Sequence, residues 1–303
     1  MKKKLYCVYE EKDNIVYSID MLRLKTYISY NEFTKIEFRL NTLWKEYIKK
    51  SYSSSQMKNF FYNYIIEIEE GISFWFGFLH NTEKRKDSIK RDTFYYNQID
   101  KYNFSIEFNP NKLKNNPILL YLLGISGDWV IKSFDLAIDL KVNILDIIWD
   151  LNGKRLEKID NRGYDNKTIY IGTGDGRIKI YNKKRESNID EIFHLTRVEI
   201  SRQMDDFQLK DIKKYSYDNV FPRLYLKEYM FSFEDYKDKT LLAILYAVLQ
   251  GFPIRDLSRA YKEKIKKLLQ GGNAIRFDNK CVSDLLRQTV YYYFINNRLC
   301  RWS

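Results

Sequence analysis

The stretch Arg177-Ile-Lys-Ile-Tyr-Asn-Lys-Lys-Arg-Glu186 carries a strand-like alternation up to a tyrosine, which then runs into bases. In an extended chain Arg177, Lys179 and Tyr181 share one face while Ile178 and Ile180 take the other. Lys183, Lys184 and Arg185 follow at once. A phenol held in such a positive field is suited to attack on a phosphodiester, because a polyanion is drawn to it and phenoxide is favoured there. Other segments repeat the alternation. Phe134, Leu136, Ile138 and Leu140 leave Asp135, Ala137 and Asp139 together on the opposite side, so two carboxylates flank a small residue. Val198 and Ile200 leave Arg197 and Glu199, and the segment Phe104–Phe108 leaves Ser105 and Glu107. An antiparallel sheet covered on one face by helices collects all of these on its other surface.

Such acids have two uses. They can hold an ion or a proton for catalysis, or they can form salt bridges with Arg197 and Lys179 across the sheet, an arrangement with no chemistry of its own. Spacing alone leaves both open. With 26 tyrosines in the chain, no single one is singled out by composition.

The elements that must position these residues fit a chain of 303 residues with 45% hydrophobic content, enough for one large core or two modest ones. A net charge of +12 favours nucleic acid or an anionic membrane surface as partner over acidic small molecules. The longest apolar run, Leu241–Leu249, is about half of what a bilayer span requires and reads as a buried helix. Cys7, Cys281 and Cys300 have neither disulfide-framework nor metal-ligand spacing. Met1-Lys-Lys-Lys4 is followed by too short an apolar run for a signal peptide, which is consistent with a cytoplasmic protein.

Along the chain, strands are expected near Leu5–Tyr9 and Ile15–Ile19, a helix over Phe33–Tyr47, a break at Ser53–Ser55, and a hairpin turning at Glu70-Gly71. A charged loop over Asn81–Asp92 precedes the acid-bearing strands. Pro117 suits the first turn of a helix that stops at Gly124, and Asn143 can cap a helix Ile144–Leu151. Gly172-Thr-Gly-Asp-Gly176 lies between strands with no helix after it, so it is read as a hairpin turn rather than a phosphate loop. Helices Leu241–Gln250, Arg255–Gln270 and Val282–Ile295 close the chain. The fold expected is α+β: a central antiparallel sheet with helices on one face over residues 1–228, and a helical C-terminal region over 229–303. The middle helix carries Arg255, Arg259, Lys262, Lys264, Lys266 and Lys267, a pattern that suits DNA phosphates and a plain solvated face equally well.

Taken in order, Ile106–Leu113, Phe134–Asp139, Ile178–Glu186 and Leu195–Ile200 resemble the Rep_trans family, the rolling-circle replication initiators of Gram-positive plasmids and related relaxases of integrative conjugative elements. The resemblance covers about Phe104–Phe207. It implies a sequence-specific enzyme that nicks one DNA strand with a tyrosine and a divalent metal and becomes joined to the 5′ phosphate. By position Tyr181 is then the nucleophile, and Asp135 and Glu199 hold the metal, with Asp139 a direct or water-mediated ligand. Carboxylate oxygens suit Mg²⁺ or Mn²⁺. Arg177, Lys179, Lys183, Lys184, Arg185 and Arg197 become phosphate contacts; origin reading needs elements that reach base edges or read DNA shape, and it is expected outside the resemblance, in the C-terminal helices, at Arg255, Arg259, Lys262 and Lys266. The implied partners are plasmid or mobile-element origin DNA, a second copy of the chain and a host UvrD-like helicase, with no membrane. Only His80 and His194 occur, so adjacent histidines cannot build a metal site. Gly174-Asp-Gly176 is shorter than the hairpin associated with the family. The alternatives are a mobilisation relaxase acting at an origin of transfer and a non-enzymatic origin-binding regulator.

Overall fold

The computed structural model describes residues 6–9, 15–51, 64–84, 96–150, 155–161, 167–183, 196–218, 221–226, 238–249, 252–270 and 274–295. The strands are β1 (Tyr6–Tyr9), β2 (Ile15–Ser29), β3 (Ile48–Ser51), β4 (Tyr64–Glu69), β5 (Ile72–Lys84), β6 (Tyr96–Phe108), β7 (Val130–Leu140), β8 (Ile147–Asp150), β9 (Leu156–Asn161), β10 (Lys167–Ile171), β11 (Ile178–Asn182), β12 (Thr196–Gln208) and β13 (Arg223–Leu226). The helices are α1 (Tyr30–Asn41), α2 (Pro117–Leu123), α3 (Lys239–Leu249), α4 (Arg259–Gln270) and α5 (Asn279–Val290). An 11-stranded antiparallel sheet runs in the order β3-β4-β5-β6-β2-β7-β12-β11-β10-β9, with β1 paired to β2, and β13 pairs β8 apart from it.

The expected α+β architecture is present, and its central strands differ from expectation in length more than in kind. Strand β2 continues well past Ile19. Its apolar residues switch from odd positions (Ile15, Tyr17, Ile19) to even ones (Leu22, Leu24, Ile28), all buried, because a bulge at Asp20 inserts one residue. Such an insertion keeps the same face in the core while reversing the sequence phase.

The helix expected over Phe33–Tyr47 instead spans Tyr30–Asn41, since Ser29 and Glu32 form a capping box that starts it earlier. The helix expected over Ile144–Leu151 is absent. Asn143 does cap Leu145, but the turn is a single 3₁₀ one, and the β-branched pair Ile147-Ile148 enters β8 against β13. Helix α4 begins at Arg259, because Pro253 leads into a separate 3₁₀ turn at Ile254–Asp256. Helix α5 begins at Asn279, where Asp278 accepts from Lys280 N and Cys281 N, and ends in a π turn at Tyr291–Ile295. Asn116 caps α2 through Leu119 N, and Gly124 closes it, as the sequence indicates. Ser53–Ser55 and most of the charged loop lie outside the described residues; β5 itself runs on to Lys84.

One large core fills the space between the apolar sheet face and α1, α2 and α5, with Ile36, Leu119, Leu122, Leu285 and Leu286 packed on Phe104, Ile106, Phe134 and Leu136. A small second core gathers Leu245, Val248, Ile265 and Leu269 of α3 and α4 against Ile148 and Tyr225. The C-terminal helical region is therefore divided: α3 and α4 build their own cluster, whereas α5 belongs to the main core. Its cap is tied to β2, because Asp278 N donates to Tyr17 Oη at 3.0 Å. Tyr293, just past α5, donates to Pro110 O at 2.7 Å, and burial raises its phenol pKa. A chain ended near Tyr229 thus loses part of the core beneath the sheet. Leu286→Ala, which leaves a void under the sheet, is expected to cost about 2–5 kcal/mol in urea unfolding. A cost under about 0.5 kcal/mol, at the level of surface substitutions, would place α5 outside the cooperative core.

Candidate functional site

The polar face of the sheet is built by register. Lys179 pairs with Glu199 and Tyr181 with Arg197 between β11 and β12; Arg197 pairs with Asp139, Glu199 with Ala137 and Ser201 with Asp135 between β12 and β7. Paired residues point the same way, so motifs far apart in sequence meet on one surface. Tyr181 lies on this face rather than among Ile178 and Ile180, yet it is only 4% exposed. Its hydroxyl donates a short hydrogen bond to Glu199 Oε1. Lys179 Nζ stands 3.9 Å from the centre of the Tyr181 ring and 3.5 Å from Glu199 Oε2, and Lys183 Nζ stands 5.9 Å from the same ring. Burial raises the pKa of Glu199, against the opposing pull of the Tyr181 hydrogen bond and the Lys179 charge. A carboxylate that holds a phenol proton and is less acidic than usual is a suitable acceptor for that proton.

The other acids are each turned to a base. Asp139 takes Arg197 through two contacts, Nε–Oδ1 at 2.6 Å and Nη2–Oδ2 at 2.7 Å, and Arg197 also reaches Asp20 at 3.5 Å. Asp135 Oδ2 and Glu107 share Arg23, at 2.9 and 2.8 Å. Burial works against the charge on Arg23 and Arg197, but the acids beside them outweigh it and raise both pKa values. Among the described residues no group of three or more His, Cys, Asp or Glu side chains could hold a metal ion. Asp135, Asp139 and Glu199 thus share a sheet face without converging, and as they stand they do not fit a three-carboxylate cage. The oxygen that remains open is Asp135 Oδ1, buried and without a hydrogen-bond partner.

The remaining candidates separate by place. Arg177 is bonded to Glu157 at 3.1 Å and lies 5.1 Å from the ring centre of Tyr170, the β10 residue paired with Lys179. Lys184, Arg185 and His194 lie outside the described residues. In the turn after β10, Gly172, Gly174 and Gly176 all take positive φ, which only glycine adopts without cost, and Asp175 pins its tip to β12 through Arg202 and Gln203 N. On the C-terminal helices, Lys266 is half-buried against Asp150 at 3.1 Å, Lys262 donates to Arg255 O at 3.1 Å, and Arg255 and Arg259 are exposed. This group sits on the small second core, and Arg255 lines a cavity together with Lys167 and Ile169 of β10. Sequence reasoning missed Asp20, Arg23 and Asn109. Asn109 Nδ2 donates to Asp20 at 2.9 Å and so steadies the acid beside Arg197. The signal for Asp20 was the phase switch in β2, legible only once the strand is known to continue.

No family model matches the chain. A "Replication initiation protein" of Staphylococcus aureus is 29% identical over 219 residues, 67% of this chain and 63% of that protein. A second of the same description and organism is 34% identical over 131 residues, 39% of this chain and 40% of its own length. The chain is thus similar to replication initiation proteins. The matches span between two fifths and somewhat under two thirds of those relatives. The solved "Structure of Rolling Circle Replication Initiator Protein from Geobacillus stearothermophilus" aligns over 88% of this chain and 99% of that one, at 13% identity and a TM-score of 0.36, too loose a superposition to transfer residue roles. No described helix is long and apolar enough to cross a membrane.

The Glu199 shift has a testable sign. A carboxyl whose folded pKa is raised contributes stability below its unfolded pKa and loses it as pH rises through the folded one. Glu199→Gln, neutral at every pH, is therefore expected to gain stability relative to the unsubstituted protein between about pH 4 and neutrality in urea titrations. A constant difference across that range would mean that Glu199 titrates normally.

Proposed function

We propose that the protein is a replication initiator that opens rolling-circle replication by nicking one strand of its origin DNA with Tyr181. The hydrogen bond from Tyr181 to Glu199, beside Lys179, carries the reading. Homology to replication initiation proteins and the four ordered motifs support it. The phenol oxygen attacks the scissile phosphorus as its proton passes to Glu199 Oε1. A phosphotyrosine bond forms to the 5′ phosphate, the bond to the 3′ oxygen breaks, and that oxygen takes a proton from water. Religation is the reverse, with the 3′ hydroxyl as nucleophile and Tyr181 as leaving group. Lys179 favours phenoxide and meets the phosphate charge, and Arg197, held bidentately by Asp139, lies next in register.

A Mg²⁺ or Mn²⁺ ion near Asp135, Asp139 and Glu199 would polarise the phosphate. Among the described residues these acids turn to Arg23, Arg197 and Lys179 rather than to one ion. Origin DNA is the partner of this reaction, and a second copy of the chain and a UvrD-like helicase are partners the reading anticipates.

Tyr181→Phe removes one oxygen and keeps the ring under Lys179, so folding and DNA binding should be nearly unchanged. Nicking of supercoiled origin plasmid and formation of a protein–DNA adduct should be lost together. An adduct formed by Tyr181→Phe would move the nucleophile elsewhere, first to Tyr170 on β10. Wild-type protein that binds the origin and forms no adduct would make the chain a binding regulator. The acid limb of the nicking rate should lie above the ordinary glutamate range, because the Glu199 carboxyl must be ionised to take the proton.

A further inference from the structure

At the far end of the same sheet face, β2, β7 and β12 carry a second group of residues that the nicking chemistry does not use. Along β2, Leu22, Leu24, Thr26 and Ile28 are buried while Arg23, Lys25 and Tyr27 point the other way. Lys25 pairs with Val130, and Val130 with Gln208, so these stand in one row across three strands. The Tyr27 ring is 53% exposed in spite of its place within a sheet strand, and Lys25 Nζ lies 5.5 Å from its centre. A cleft of about 400 Å³ opens here, lined by Lys25, Tyr27, Asp128, Asp206, Gln208 and Lys210. Its wall is shaped by a bulge in β12, where Asp205 and Asp206 adopt left-handed φ of 41° and 58°, and Lys132 bonds Asp206 at 2.9 Å. Left-handed backbone at two successive non-glycine residues is costly and persists where surrounding structure enforces it.

We propose that this cleft is a subsite for a nucleotide of single-stranded DNA, with the base stacked on Tyr27 and the flanking phosphates on Lys25 and Lys210. An exposed aromatic ring beside cations is the arrangement that binds single strands, since every base has a face to stack. Asp128 and Asp206 suit the rim, where a carboxylate accepts from the exocyclic amino group of a base such as cytosine. Thymine lacks that amino group. The subsite lies along β7 from the Tyr181 end: residues 130 and 139 of one strand are roughly 30 Å apart at about 3.3 Å per residue. A stacked single strand covers that span in roughly nine nucleotides at about 3.4 Å each. The subsite would hold a strand that is unpaired near the nick, which gives the polar face a second fixed point besides the phenol.

This inference rests on the reading of the polar face as a DNA surface, and its test uses binding rather than nicking so that the two can fail separately. Fluorescence anisotropy with a labelled single strand long enough to span the face compares the full chain with Tyr27→Ala, Tyr27→Phe and Lys210→Ala. Tyr27→Ala is expected to weaken binding about tenfold with an unchanged melting temperature, and Tyr27→Phe to retain it. Lys210→Ala should lower the salt slope of the binding constant by about one. An oligo-dC strand should bind more tightly than oligo-dT, and that preference should vanish in the double variant Asp128→Ala, Asp206→Ala. Equal affinity of Tyr27→Ala and the unsubstituted protein would overturn the proposal, even if Tyr181 nicks as proposed. Conversely, loss of binding in Tyr27→Ala stands whether or not a nick is ever observed.

Discussion

Charge balance on a half-buried sheet face is the constraint on which the rest of this structure depends. Arg23, Arg197 and Lys179 sit on strands whose other face is closed by helices, so each must find a counter-charge on a neighbouring strand. An unpartnered buried charge costs far more than a paired one gains. The result is a ladder of alternating sign: Glu107 and Asp135 flank Arg23, Asp139 and Asp20 flank Arg197, and Glu199 takes Lys179. Tyr181 enters this ladder as the neutral donor that completes Glu199. Its hydroxyl is thereby oriented, and its ring is held beneath an ammonium group.

The same ladder explains why the strands must pair in the observed order. β7, β12 and β11 are hydrogen-bonded neighbours, although long stretches of chain separate them in sequence. The bulges at Asp20 and near Asp205 are part of the same solution. The first turns an acid toward Arg197 without exposing Ile19 or Leu22, and the second bends the far end of β12 away from regular pairing with β7.

Much of this was legible in the sequence wherever one periodicity ruled. The alternation in Phe134–Leu140, Thr196–Ile200 and Ile178–Asn182 placed the apolar residues in the core and the acids, bases and Tyr181 on the other face. Elsewhere tertiary contacts decided what local pattern left open. Ile144, Ile147 and Ile148 fit a helix stripe and a short strand equally well, and pairing with β13 decided the matter. The C-terminal helices looked alike as amphipathic segments, but only α5 has its cap bonded to Tyr17 and its face in the main core. Which partner each acid takes was not legible at all. Spacing puts Asp135, Asp139 and Glu199 on one face, but side-chain reach and the positions of Arg23 and Arg197 determine that they turn to bases rather than to one another.

Under the proposed function the phenol bonded to Glu199 becomes linked to DNA. The most direct measurement is to trap the adduct on a suicide substrate cut from the origin, digest it, and locate the nucleotide-bearing peptide by mass spectrometry. The expected result is a phosphotyrosine link on Tyr181, within the segment Ile178–Asn182. A link on Tyr170 or on any other residue, with Tyr181 unmodified, would contradict it.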